Sequence, residues 1–455
     1  MWLRLVANRL LPKRFGSQKF ISDDHADEDQ DGETDAEVGT LKQRPASRSL
    51  LFPVMSETIT IDRLFTEEYR IFVSTWNVGG IPPPEDLNLE DWLDTGSKSY
   101  DIYILGFQEV VPLNAGNVLG SENPSICMKW NSLIRTALNR NDYSSNRASP
   151  QEQKSSSPGE RQKVYPVNKE QQPFGSINYS MEKEFEGRSM RSKKGEFQCL
   201  MSKQMVGIMV TAWVRRRLRR LIRHPSVSCV GCGLMGCLGN KGSVSVRFLL
   251  NGTSFCFVCT HLASGEKEGD ESHRNWGVSQ IMSRTRFPAG PSMDLPRTIL
   301  SHDRIIWLGD LNYRISLPDP ETRSLVERHE WDTLHENDQL RVELCEGGVF
   351  EGWQEGNIGF APTYKYSPDS DQYHGWRQQS AIGEKKRAPA WCDRILWYGK
   401  GIKQNRYERG ESKLSDHRPV RATFTVITDI INSIKLMERC FSSERYENLD
   451  IDRLI

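Results

Sequence analysis

The apolar residues of this chain fall into short, nearly unbroken runs, and most of the runs end at a polar side chain. Arg304-Ile-Ile-Trp-Leu308 reads as a buried strand that Gly309 terminates, with Asp310 and Asn312 following at its C-terminal end. Ile71 to Trp76 does the same ahead of Asn77, and Asp101 to Phe107 delivers Gln108 and Glu109. Further strands are expected at Met205–Trp213, Ser226–Val230, Gly242–Leu249 and Ser254–Cys259, the last running into Thr260 and His261. Two more lie within Pro389–Trp397 and at Val420–Val426. Helical spacing marks Lys129–Leu138 and again Arg215–Arg223, where Val214, Leu218, Leu221 and Ile222 would line one face and arginines the other. A basic face of that kind is ordinarily solvated; nuclear import and contact with an anionic membrane are its other uses. Buried strands with helices between them predict an α/β protein built in layers.

Two stretches break the pattern. Residues 1–65 carry an acidic run from Asp23 to Glu37 and then a Ser/Arg/Pro stretch, while Ser, Gln, Glu, Lys, Arg and Pro dominate residues 139–197. Both have too few apolar residues to bury, so disorder is expected: an N-terminal extension, and an insertion into a catalytic domain spanning 66–427. Residues 428–455 read as a tail with one helix and an acidic end. A mean hydropathy of −0.59 and a hydrophobic share of 37% over 455 residues fit a normal core diluted by such segments. Sixty basic residues cancel 60 acidic ones, which argues against a surface that tracks nucleic acid. Cys229, Cys232 and Cys237 crowd one Gly-rich segment without zinc spacing, so buried thiols in a reducing compartment are expected. Arg4 and Arg9 interrupt the first residues too soon for a signal peptide or a membrane span. A cytoplasmic monomer is expected, with peripheral membrane contact or a nuclear location left open.

The chemistry sits at the strand ends. Asp310 and Asn312 flank one residue, so in an extended turn both side chains can face the same way and hold a water. Taken alone, Gly-Asp-x-Asn is more often an ordinary turn. Its partners change the weighing: Asn77, Glu109, His261, Asp393, Asp416 and His417 all border other strands. Oxygen and amide donors with few cysteines suit Mg²⁺, and histidines without HExxH spacing suit acid–base work better than zinc. Asp393 beside His417 would fix a tautomer and stabilise an imidazolium. Together these parts describe water attacking phosphorus.

The motifs Trp307-Leu-Gly-Asp-Leu-Asn-Tyr-Arg-Ile315 and Pro389-Ala-Trp-Cys-Asp-Arg-Ile-Leu396 resemble those of inositol polyphosphate 5-phosphatases. These enzymes belong to the endonuclease/exonuclease/phosphatase superfamily. Thr75-Trp-Asn77, Gly106-Phe-Gln-Glu109, Leu238-Gly-Asn-Lys-Gly242, Thr260-His-Leu262 and Ser415-Asp-His417 match as well, and the polar insertion is similar to the plant branch. The resemblance implies a DNase I-like fold, a four-layer α/β sandwich of two packed mixed β-sheets flanked by helices. It implies that Glu109 is the principal Mg²⁺ ligand with Asn77 close by, that Asp310 activates water and that Asn312 positions it. His417 backed by Asp393 would contact the scissile phosphate, His261 would stabilise the transition state, and Asp416 would lie near the metal. Tyr364, Lys365, Lys385 and Arg387 would grip the inositol 4-phosphate, with Asn240, Lys241 and Arg274 as further contacts to the ring or its other phosphates. A phenol, two Lys and an Arg suit a dianionic phosphate.

The expected activity is removal of the 5-phosphate from phosphatidylinositol 4,5-bisphosphate or 3,4,5-trisphosphate, or from soluble inositol 1,4,5-trisphosphate or 1,3,4,5-tetrakisphosphate. Two alternatives stand beside it. A nuclease on the same fold would need an extended basic groove, and a non-catalytic phosphoinositide-binding scaffold would be expected to have lost part of the constellation.

Overall fold

The structure is a computed structural model that describes residues 65–97, 100–120, 122–140, 195–289, 295–345, 347–375 and 387–430. The expected N-terminal extension, most of the insertion, Lys385 and nearly all of the predicted tail lie outside the described residues.

Among the described residues, twelve strands form two six-stranded sheets. The first contains β1 (Phe65–Asn77), β2 (Ile102–Gln108), β3 (Phe197–Met205), β4 (Ile208–Arg215), β11 (Ile402–Arg409) and β12 (Val420–Ile430) in the order β11-β12-β1-β2-β4-β3. The second contains β5 (Ile222–Gly231), β6 (Gly242–Leu250), β7 (Thr253–His261), β8 (Arg304–Asp310), β9 (Gln354–Glu355) and β10 (Asp393–Tyr398) in the order β5-β6-β7-β8-β10-β9. Each sheet is centred on one parallel pair, β1 with β2 and β7 with β8, and every other pairing is antiparallel. The two halves thus repeat one pattern, and the mixed sheets and flanking helices make the layered α/β sandwich expected of a DNase I-like fold.

The central strands are buried on both faces, which is why they read as continuous apolar runs. In β2, Ile102 and Ile104 point into the core between the sheets, while Tyr103, Leu105 and Phe107 point outward. The outward side is covered by α2 (Ser125–Asn139), whose Trp130, Ile134 and Leu138 repeat at helical spacing. A shorter helix, α1 (Ala115–Leu119), precedes it. In β8, Ile306 and Leu308 face the other sheet, whereas Ile305 and Trp307 pack with Val278 and Ile281 of α3 (Asp270–Arg284). Three further helices, α4 (Asp319–Glu327), α5 (Trp331–Glu336) and α6 (Gln339–Cys345), follow β8. Cys256, Cys259 and Cys392 are free thiols buried in this packing, whereas Cys229 and Cys237 of the Gly-rich segment are exposed.

One predicted helix is absent. Arg215 ends β4, Arg216–Arg220 form a 3-10 turn, and β5 begins at Ile222. Only Leu218 of the turn is buried, Leu221 is exposed, and Ile222 pairs with Leu250 across the sheet. Strand pairing on both sides overrides the local periodicity, which has too few residues to nucleate a helix. The flanks of the insertion also have a physical link: Asn139 accepts from the Phe197 backbone N–H at 2.8 Å and donates to its carbonyl at 3.3 Å. The β12 strand continues to Ile430, so the first residues of the expected tail are strand.

Candidate active site

The parallel pairs deliver the chemistry to one end of the sandwich. In the first sheet β1 ends at Asn77 and β2 leads into Glu109; in the second, β7 ends at His261 and β8 at Asp310, which are register partners. The antiparallel neighbours start there too: Asp393 opens β10 opposite Asp310, and Asp416 and His417 precede β12. Two non-glycine residues at the strand exits, Glu109 and Asn312, take positive φ of 53° and 57°. That is an uncommon backbone for a glutamate and is characteristic of sites that aim a side chain. Gly309, at φ 151°, has no substitute, because any Cβ would collide with the Thr260 backbone on β7.

Asp310 is the hub. Its Oδ2 lies 2.9 Å from Asn77 Nδ2 and 3.2 Å from His261 Nε2, and its Oδ1 accepts the Asn312 backbone N–H at 3.1 Å. Burial opposes its ionisation, but the His261 hydrogen bond and the charges of His417 and Lys241 outweigh it and hold the carboxyl far below the usual range. Asn77 also reaches Glu109 Oε1 at 3.5 Å. Its own Oδ1 accepts Gly79 N–H at 3.0 Å, so the amide nitrogen, not the oxygen, faces the two carboxylates. That orientation makes Asn77 a bridge between the two acidic groups.

The two histidines are tuned in opposite directions. His417 Nδ1 lies 2.8 Å from Asp393 Oδ2, which also accepts Thr363 Oγ1 at 2.7 Å. Burial lowers the His417 pKa, but Asp393, Asp310 and Asp416 overcome it and raise the imidazole to about 9. Burial raises Asp393 as well, so the dyad keeps its proton at neutral pH. His261 is lowered, first by burial and then by Lys241, whose Nζ sits 2.5 Å from Nε2; Asp310 only partly opposes this.

Asp310, Asp393 and His417 bring ligand atoms within 4.8 Å of one another, but a protonated imidazole is a poor metal ligand. The better seat for a hard cation is the Glu109 carboxylate. It is partly exposed, close to Asp310 through Asn77, and 3.8 Å from His261. Its oxygen donors fit a cation of the Mg²⁺ or Ca²⁺ type.

The remaining expected residues are placed as follows. Asn312 is locked, its Oδ1 accepting Arg314 Nη2 at 2.8 Å and its Nδ2 donating to Leu262 O at 3.2 Å. Lys365 pairs with Asp416 at 2.7 Å, so these two expected roles meet in one ion pair. The Tyr364 ring lies 4.5 Å from that of His417. Asn240 and Lys241 lie in the loop entering β6, and Lys241 alone of the two contacts His261. Arg387 reaches Glu266 at 3.5 Å. Arg274 needs correction as a substrate contact. It is buried in α3 and donates to Gly265 O at 3.2 Å and Gln339 Oε1 at 2.7 Å, beside the Tyr313 ring, so it is scaffold. Sequence reasoning passed over Thr363, Glu266 and Arg314. Of these, Arg314 alone had a signal, its place in the Asp310–Ile315 motif.

A profile of the endonuclease/exonuclease/phosphatase family 2 matches residues 74–423. An Arabidopsis thaliana type IV inositol polyphosphate 5-phosphatase is 50% identical over 454 residues, covering 99% of this chain and 98% of that protein. The chain belongs to the inositol polyphosphate 5-phosphatase family. A type I relative from the same plant is 49% identical over 365 residues, covering 80% of this chain and 72% of that protein. Among solved structures, the 5-phosphatase domain of a synaptojanin, in complex with inositol (1,4)-bisphosphate and a calcium ion, is 27% identical. Its TM-score is 0.61, and the match covers 84% of this chain and 92% of that one. A Cimex nitrophorin is 18% identical with a TM-score of 0.51, covering 79% of this chain and 99% of that one. That likeness shows only that the fold is shared. This phosphatase is therefore a hydrolase of inositol phosphoesters, and its two oppositely tuned histidines flank the hub carboxylate from opposite sheets.

Proposed function

We propose that this 5-phosphatase is Mg²⁺-dependent and removes the 5-phosphate from phosphatidylinositol 4,5-bisphosphate, with soluble inositol 1,4,5-trisphosphate as a secondary substrate. The observation that carries the reading is the ionised Asp310 held between a protonated His417 and a neutral His261. Glu109 would hold the cation, with Asn77 steering the neighbouring carboxylates. Magnesium bound there neutralises charge on the phosphoryl oxygens.

Asp310 orients a water by accepting its hydrogen bond, while Asn312 fixes Asp310 through its backbone N–H. A carboxylate with so low a pKa is a weak base, yet a loose phosphoryl-transfer transition state needs little proton transfer before the leaving bond has stretched. The water oxygen bonds to phosphorus as the bond to the inositol oxygen breaks; one water proton, passed by way of Asp310, ends on the inositol hydroxyl, the other stays on the inorganic phosphate that departs. His417 gives a positive hydrogen bond to the transferring group, and Lys241 with His261 supplies further positive and polar contact. Tyr364, Lys365 and Arg387 stand beside this centre and suit a ring phosphate next to the scissile one. Exposed Trp276 and Leu234 flank the Lys241 loop, apolar surface that favours a substrate presented on a bilayer. The described residues contain no helix long and apolar enough to cross a membrane, so such contact would be peripheral.

Phosphate release from lipid vesicles and from the soluble trisphosphate, with Mg²⁺ or with chelator, tests this directly. Asp310→Asn should lose roughly 10³-fold in kcat on both. Full activity in that variant, or faster cleavage of plasmid DNA than of either inositol compound, would overturn the reading.

A further inference from the structure

The loop after β7 carries a carboxylate that the chemistry above does not use. Glu266 divides its two oxygens between two arginines: Oε1 is 3.2 Å from Arg314 Nη1, and Oε2 is 3.5 Å from Arg387 Nη1. The arginines differ in every other respect. Arg314 is 6% exposed, donates to Asn312 through both Nη2 and Nε, and lies 4.7 Å from the Tyr364 ring centre. Arg387 has a side chain 29% exposed, and its carbonyl is held by Arg323 at 2.9 Å.

Glu266 is not a loose surface acid. Gly265 O accepts Arg274 Nη1 at 3.2 Å, and Gln339 Oε1 takes both Arg274 Nη2 at 2.7 Å and the Arg314 backbone N–H at 2.9 Å. The buried Arg274 therefore braces the loop that carries Glu266 and, through Gln339, the backbone that carries Arg314.

These contacts have unequal strengths toward an incoming phosphate dianion. Arg387 is accessible and its pair with Glu266 is long, so a ring phosphate can take its guanidinium at small cost. Arg314 is buried, and leaving its guanidinium unpaired there is expensive. We propose that Glu266 is a positioning residue with two opposed effects. It holds Arg314 on Asn312, and so maintains the Asp310–Asn312 turn for catalysis. It also competes with the ring phosphate for Arg387, weakening ground-state binding. This rests on the reading of Arg387 as a ring-phosphate contact.

The two effects predict a split in the kinetic constants. Glu266→Gln should lower kcat about tenfold through the weakened Arg314 contact. It should also lower KM about threefold on phosphatidylinositol 4,5-bisphosphate vesicles, because Arg387 is released. On phosphatidylinositol 5-phosphate, which has no ring phosphate for Arg387 to take, kcat should fall alike and KM should stay. Glu266→Asp, which keeps the charge, should recover most of the kcat loss. Arg387→Ala separates the two ideas. If that variant still prefers the bisphosphate as wild type does, the underlying reading of Arg387 fails. If the preference collapses but Glu266→Gln leaves KM unchanged, or shifts it equally on both lipids, the Glu266 proposal is overturned. A Glu266→Asp variant no more active than Glu266→Gln would overturn it as well.

Discussion

The two halves of the sandwich place an imidazole on either side of one carboxylate, and the halves treat it differently. On the first sheet's side His417 rests on Asp393, among three carboxylates, and keeps its proton up to about pH 9. On the second sheet's side His261 is as buried, but its nearest charge is the Lys241 ammonium, and it stays neutral. Burial lowers both pKa values, so desolvation does not separate them. The neighbour's sign does. One repeated strand pattern thereby supplies a cationic group and a neutral one across a single Asp310.

Removing the neighbours should erase the contrast. Asp393→Asn should have the largest effect, a fall in kcat of about 10²–10³-fold. In the proposed mechanism His417 acts while protonated, so wild-type kcat should fall as pH rises through about 9. Without Asp393, the largest cause raising that pKa, the fall should begin at lower pH, and a pH profile of kcat whose basic limb stayed in place would argue that another group controls it. Lys241→Gln should cost about tenfold. Losing the ammonium raises the His261 pKa, so His261 would protonate at higher pH and the acidic limb should move up in the same measurement. The finest adjustment is Thr363→Val, which removes the 2.7 Å hydrogen bond to Asp393. It should reduce kcat by about fivefold, a modest part of the value of a hydrogen bond to a carboxylate, with a smaller movement of the basic limb than Asp393→Asn gives.

The parts of this arrangement that sequence made legible are those with both faces buried. The Ile102–Phe107 and Arg304–Leu308 runs have no polar face, so the polar residues that follow each had to lie at a strand exit, and Gln108 with Glu109, and Asp310, do. Both edge strands of the first sheet went unrecognised. Gln198–Lys203 of β3 and Lys403–Arg409 of β11 are mostly half-buried, with exposed Ser202, Lys403, Asn405 and Arg406 among them, so polar residues break up their apolar pattern as they do in edges that resist further pairing. Arg274 looked like a phosphate contact because sequence carries no mark of burial, and its partner Gln339 lies 65 residues away. Thr363 and Glu266 were invisible for the same reason: their partners Asp393, Arg314 and Arg387 are brought close only by the fold.

The pairing of β1 with β12 also bears on when this enzyme becomes active. These are the first and last described strands, they register along Phe65–Thr75 against Val420–Ile430, and Ser415 Oγ closes on Asn77 O across 338 residues of chain. Contacts of such high sequence separation close late and slowly. On the ribosome, β1 must wait for the rest of the domain before it gains its second neighbour, and His417 is the last of the proposed site residues to emerge. A product truncated before Val420 would leave β1 without one of its two sheet neighbours and is expected to be inactive.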